Sequence, residues 1–169
     1  HDAVGIERIN VCTYQAVSGT GKKAIDELAT QTTQLLSGKP ITPSVYPKQI
    51  AFNVLPQIDV FLENGYTKEE MKMVWETRKI MGDETIEVNP TAVRVPVFYG
   101  HSEAVHVEFA HEMAPDEARA ILSSAPGVVV IDDPRAHDYP TPLQAAGRDP
   151  VYVGRIRRDA SHPRGLSMW

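Results

Sequence analysis

The sequence predicts an α+β domain: a mixed, largely antiparallel sheet with helices on one face. Three observations carry this. Runs of β-formers with period-two alternation recur, at Ile6–Gln15, residues 92–98 and residues 101–109. The stretches with helical spacing carry their own start and stop signals. The element order is strand, helix, loop, helix, strand, strand, helix, strand, strand, strand, with few regular βαβ repeats. The sheet face without helices is expected to meet another subunit.

Taken in order, IERINVCTYQ places Val11, Thr13 and Gln15 on one face and Asn10, Cys12 and Tyr14 on the other. The turn Ser18-Gly19-Thr20-Gly21 opens a helix whose buried stripe is Ala24, Ile25, Leu28, Ala29, Leu35 and Leu36, with Gly38 and Pro40 beyond its end. A Gly-rich turn at a helix start is a candidate anion cradle, although SGTGK matches neither a Walker loop nor a GxGxxG fingerprint. Residues 40–56 are Pro-rich and irregular, with a short strand expected at 50–54, and long ordered loops of this kind are often functional. Residues 59–64 read as a helical turn. Thr67 and Glu70 form a capping box that starts a helix running to Met81, with Met71, Val74, Trp75, Arg78 and Met81 on one stripe and Gly82 as the stop. Residues 92–98 and 101–109 read as adjacent antiparallel strands joined by Tyr99-Gly100. Pro115 opens a short helix, residues 128–131 form an apolar strand, 151–159 form another, and Leu166 begins the last.

At 169 residues the chain is one domain, able to bury a core. A net charge of −5 without long charge runs argues against nucleic-acid and membrane-surface partners. No apolar run has the length of a membrane span, and no signal peptide is visible. The single cysteine, Cys12, permits no internal disulfide, and a reducing, cytoplasmic setting is expected. The chain opens without Met and closes mid-strand on Trp169, expected to be exposed there, so it reads as a piece of a longer protein.

The candidate chemistry centres on Arg94 and His101. Arg94 sits among Val93, Val95, Val97 and Phe98, and a guanidinium buried there needs an anionic partner. His101 titrates near neutrality. Together they make a site for an anionic substrate, or else a structural ion pair beside a surface histidine. Glu69 and Lys72 share a helix face, as a solvated pair would also do.

TYQAVSGTGKKAIDEL, TKEEMKMVWETRKIMGD, AVRVPVFYGHSEAVHVEF and VGRIRRD, in that order along the whole chain, resemble the C-terminal half of bacterial aspartate-β-semialdehyde dehydrogenase. The resemblance implies a fold like the catalytic domain of glyceraldehyde-3-phosphate dehydrogenase, with residues 1–169 binding substrate and forming a homodimer. An NADP-binding Rossmann domain and a C-terminal helix would lie outside them. It implies reversible, phosphate-dependent conversion of β-aspartyl phosphate to aspartate semialdehyde, and no metal. By motif, Gln15 would orient the acyl intermediate and Ser18 and Gly19 would contact the nicotinamide half of NADP. Glu69 would pair with the substrate α-ammonium, Lys72 with phosphate and Arg94 with the α-carboxylate, and His101 would be the acid/base. The family's nucleophilic cysteine segment is missing here, and Cys12 reads as a mid-strand residue without that role, so the chain alone is expected to be inactive. Two alternatives remain: a non-catalytic dimerisation module, and a relative of N-acetyl-γ-glutamyl-phosphate reductase, whose substrate lacks the free ammonium that Glu69 would meet.

Overall fold

A computed structural model describes residues 1–169. Strand β1, Ile6–Gln15, is an interior member of a five-stranded sheet. The others are β2 (Glu87–Arg94), β3 (Ser102–Phe109), β6 (Arg157–Arg158) and β7 (Gly165–Met168), in the order β2-β1-β3-β7-β6. Only β1 and β2 run parallel; the remaining pairs are antiparallel. A separate two-stranded parallel sheet pairs β4 (Val128–Val130) with β5 (Val151–Val153). The expected α+β class and largely antiparallel main sheet are found.

Helix α1, Lys22–Leu36, follows a short 3-10 turn at Val17–Thr20. Its Ala24 and Leu28 join Val17, Ile50, Ala51 and Leu55 in a core beyond the end of β1. Helix α2, Lys68–Met81, has the expected capping box and ends on left-handed Gly82. It packs along β2. Helix α3, Pro115–Ser124, places Ala118 in a second core with Val107, Phe109, Met113, Ile156 and Leu166. Alternation then turns Thr13, Gln15, Ala92 and Val107 toward this helix-bearing side. A four-residue helix, α4, spans Pro142–Ala145.

Two polar residues of the α1 stripe fasten the irregular segment 40–56. Glu27, buried, accepts from Ser44 N–H, Ser44 hydroxyl and Val45 N–H at 3.1, 2.7 and 2.5 Å. Gln31, also buried, accepts from Ile50 and Ala51 N–H at 3.0 and 3.2 Å. A buried charge tolerates its surroundings only when its lone pairs are met this way.

Several expected boundaries move. Residues 92–98 and 101–109 are not adjacent strands: β1 lies between β2 and β3. Pro96 has no N–H to give a ladder, and residues 95–101 instead cross the end of β1, donating from Val95 to Gln15 O and accepting at Val97 O from Val17 N–H. The strand expected at 50–54 is a turn with Phe52 at positive φ, and Leu55 makes the strand-like contact, a two-bond bridge to Arg94. Residues 59–64 form a loop closed by a Phe61–Thr67 bridge rather than a helical turn. The strand expected over 151–159 breaks at Gly154, where a Cβ would collide with the Ile131 carbonyl and the Pro140 ring. On α2 only Val74 of the expected stripe is fully buried, and Trp75 is half exposed. Trp169 is half-buried: its ring lies 5.4 Å from that of Tyr14, and its Nε1 donates to Pro140 O at 3.1 Å.

Glu70 joins α2 to the sheet. One carboxylate oxygen closes the capping box on Thr67 N–H at 2.7 Å, and the other accepts from Ala92 N–H at 2.9 Å. Glu70→Ala leaves both buried donors unpaired, so a loss of about 2–4 kcal/mol is expected in urea unfolding, against a few tenths for an exposed residue such as Glu76.

Candidate functional site

The site is built where β1 and β2 end side by side. The parallel register pairs Gln15 with Arg94, so both side chains leave the sheet on the same face. Arg94 is held on both edges: by β1, and by Leu55 through bonds of 2.8 and 2.9 Å. Its guanidinium is buried, with the residue 5 % exposed. Nη1 donates to Ala16 O at 2.7 Å, whereas Nε is buried without a partner. Leaving such a donor unmet is costly. The free Nε side of the fork is the geometry that takes a carboxylate by two parallel hydrogen bonds.

His101 reaches the same peptide from the other side. Its Nδ1 accepts from Ala16 N–H at 3.2 Å. A ring that accepts at Nδ1 is neutral and carries its proton on Nε2. Burial of the ring's packed side, and then the Arg94 charge, push its pKa below 6.5, with Glu69 opposing. His101 thus presents an Nε2–H donor at neutral pH, and proton uptake at Nδ1 has to displace the Ala16 N–H. Gly19 packs behind both groups: a Cβ there would stand 3.3 Å from Arg94 Nη1 and from His101 Cε1 and Nε2.

The first turn of α2 supplies the acid. Glu69 accepts from Gln15 Nε2 at 3.3 Å and from Lys72 Nζ at 3.2 Å. Gln15 also donates to Thr13 Oγ1 at 3.2 Å, which fixes its amide in the buried corner. The Glu69 hydrogen bond raises the Lys72 pKa and keeps that half-exposed ammonium charged. Gln15, Glu69, Lys72, Arg94 and His101 therefore meet in one place, one anion among two cations and two neutral polar groups. The arrangement can hold a zwitterionic ligand and donate or receive a proton beside it.

Other expectations fare differently. The Ser18–Gly19 turn is not an open anion cradle, because Ser18 N–H donates to Phe98 O and Gly19 N–H to Ala16 O. Ser18 is half-buried and Gly19 exposed beside the site. Cys12 is a free thiol on the β1 face opposite Gln15, beside Thr91 and Ala104. Sequence reasoning missed Tyr46, whose ring centroid lies 5.9 Å from the Arg94 guanidinium carbon. The available signals were the Pro-rich segment that carries it and a glutamate, Glu27, on the buried stripe of α1.

The family model for the semialdehyde dehydrogenase dimerisation domain matches residues 1–169. The chain belongs to this family. It is 64% identical to the aspartate-semialdehyde dehydrogenase of Legionella pneumophila, matching 100% of this chain and 49% of that protein. It superposes on the crystal structure of aspartate semialdehyde dehydrogenase II from Vibrio cholerae, described as complexed with ASA, with a TM-score of 0.95 and 56% identity over 99% of this chain and 49% of that one. An aspartate semialdehyde dehydrogenase from Candida albicans, described with NADP, shares the fold at a TM-score of 0.63 and 22% identity over 97% of this chain and 45% of that one. The chain thus spans about half the length of these relatives, which are aspartate-semialdehyde dehydrogenases.

The opposed fields at His101 have signs that can be read. Removing the negative charge with Glu69→Gln is expected to lower its pKa further, and removing the positive charge with Arg94→Gln to raise it, in an NMR titration of the ring. Because the folded pKa lies below 6.5, the unfolded chain binds this proton more readily. The contribution to stability is complete above 6.5 and is lost as pH falls through 6.5 toward the folded value.

Proposed function

We propose that residues 1–169 are the substrate-binding and dimerisation half of an NADP-dependent aspartate-semialdehyde dehydrogenase, acting on β-aspartyl phosphate, aspartate semialdehyde and phosphate in the cytoplasm. The observation that carries the reading is the buried Arg94 fork with its unpartnered Nε beside Glu69. A free amino acid needs a cation for its carboxylate and an anion for its ammonium, and these groups supply both. No helix here is long and apolar enough to cross a membrane.

In this reading Arg94 grips the substrate α-carboxylate through Nε and Nη2. Glu69 exchanges its Lys72 partner for the α-ammonium, and Lys72 is then free to hold phosphate. Gln15, anchored on Thr13, orients the acyl group, and His101 donates from Nε2 to oxygen as charge develops there. Holding the reactant in this way removes rotational freedom before the chemical step. Gly19 is exposed and without a side chain, so its backbone edge, with Ser18, would lie against the nicotinamide half of NADP, which would carry the hydride. The homodimer is assigned to this chain because its family model is that of a dimerisation domain, and the sheet face bearing Asn10, Cys12 and Asn89 is the surface offered.

In the full-length protein, Arg94→Lys is expected to raise KM for aspartate semialdehyde about tenfold or more, because a point charge replaces the fork. An unchanged KM would remove Arg94 from the site. Glu69→Gln is expected to weaken aspartate semialdehyde more than its deaminated analogue in the same assay. Residues 1–169 alone are expected to form no NADPH from aspartate semialdehyde and phosphate, since their one thiol lies on the sheet face away from Gln15; turnover by that polypeptide would contradict the assignment.

A further inference from the structure

Arg94 is covered by a residue from the irregular segment. The Tyr46 ring centroid lies 5.9 Å from its guanidinium carbon, within cation–π range. The phenol hydroxyl donates to Thr20 Oγ1 at 3.0 Å, tying the ring to the turn that also carries Gly19. The body of the ring packs on the core formed by Val17, Leu28 and Ile50. Next to it in the chain, Val45 and Ser44 are clasped by buried Glu27 through three hydrogen bonds, and Ile50 and Ala51 are clasped by Gln31. Five hydrogen bonds to two buried side chains of α1 thus fix the backbone on either side of Tyr46. These bonds set where one aromatic face lies relative to one guanidinium.

We propose that Tyr46 is a positioning residue for carboxylate recognition: its ring orients and shields the Arg94 fork, and Glu27 holds the ring in place. With Nη1 committed to Ala16 O, rotation of the guanidinium about its long axis is the remaining freedom that would spoil a two-bond grip. The ring blocks that rotation and keeps water from the cation, so the free edge faces the ligand. Tyr46 touches no reacting atom in this scheme and acts through Arg94. The inference rests on the reading of Arg94 as the carboxylate holder.

The test uses the full-length protein and steady-state kinetics with aspartate semialdehyde, alongside thermal unfolding. Tyr46→Leu is expected to raise KM about three- to thirtyfold, with kcat within about threefold of wild type and a melting temperature lowered by no more than about a few degrees. Tyr46→Phe keeps the aromatic face and is expected to stay within about twofold in KM. In an Arg94→Lys background the Leu substitution should add little, since its effect runs through the guanidinium. An unchanged KM for Tyr46→Leu, while Arg94→Lys raises KM, overturns this inference alone; no change in either variant overturns the reading of Arg94 as well. A Leu effect that persists at full size in the Lys background, or a fall in kcat and melting temperature together, also overturns it by making Tyr46 a general packing residue. Should Tyr46→Leu not fold, Glu27→Gln decides the matter: a rise in KM with kcat retained is expected, and an unchanged KM is the overturning result.

Discussion

The peptide at Ala16 holds the site together. Its carbonyl accepts from Arg94 and its N–H donates to His101, so one backbone unit between β1 and the following turn sets the positions of the cation and the imidazole at once. This is possible only because residues 95–101 cross the end of β1 rather than turning back as a hairpin. The crossing carries His101 to one side of that peptide while Arg94 stays on the other. A backbone anchor is insensitive to which side chain occupies position 16, provided that the side chain fits where Ala16 is fully buried.

The electrostatics follow from that geometry. Arg94 is buried with one donor met by a neutral carbonyl and one unmet, so its charge is compensated only through Glu69 and the Tyr46 ring. Burial without a direct ion pair weakens the fold locally, a cost that a ligand carboxylate would remove in the proposed reading. Glu69 plays two parts: it partners Lys72 and opposes the Arg94 field at His101. An unmet donor of this kind, held at the ends of two rigid strands, is how a binding site is commonly prepared.

Much of this was legible in the sequence for definite reasons. The capping box at Thr67 and Glu70, the alternation of β1 and the glycine stop at Gly82 are local signals, and each is where local chemistry puts it. Glu69, Arg94 and His101 stood out as polar residues in patterned runs. The strand neighbours were not legible, because β-pairing is decided by non-local contacts: Arg94 lies next to Gln15, not opposite a residue of β3. Tyr46 was hidden for the same reason, since an aromatic in a Pro-rich loop declares its packing partner only through tertiary structure. The break at Gly154 reflects a close approach of Ile131 and Pro140 that no window of sequence contains.

The parallel pairing of β1 with β2 has a kinetic consequence. It joins Gln15 to Arg94 across a loop that contains both long helices and the whole irregular segment, so closure of that loop must precede any meeting of the polar groups. The antiparallel β3–β7 and β6–β7 pairs do not depend on it. The binding corner is therefore assembled by a long-range contact, and only a molecule with this pairing complete presents it. A ligand held there, as proposed, would draw the population toward that complete state by mass action.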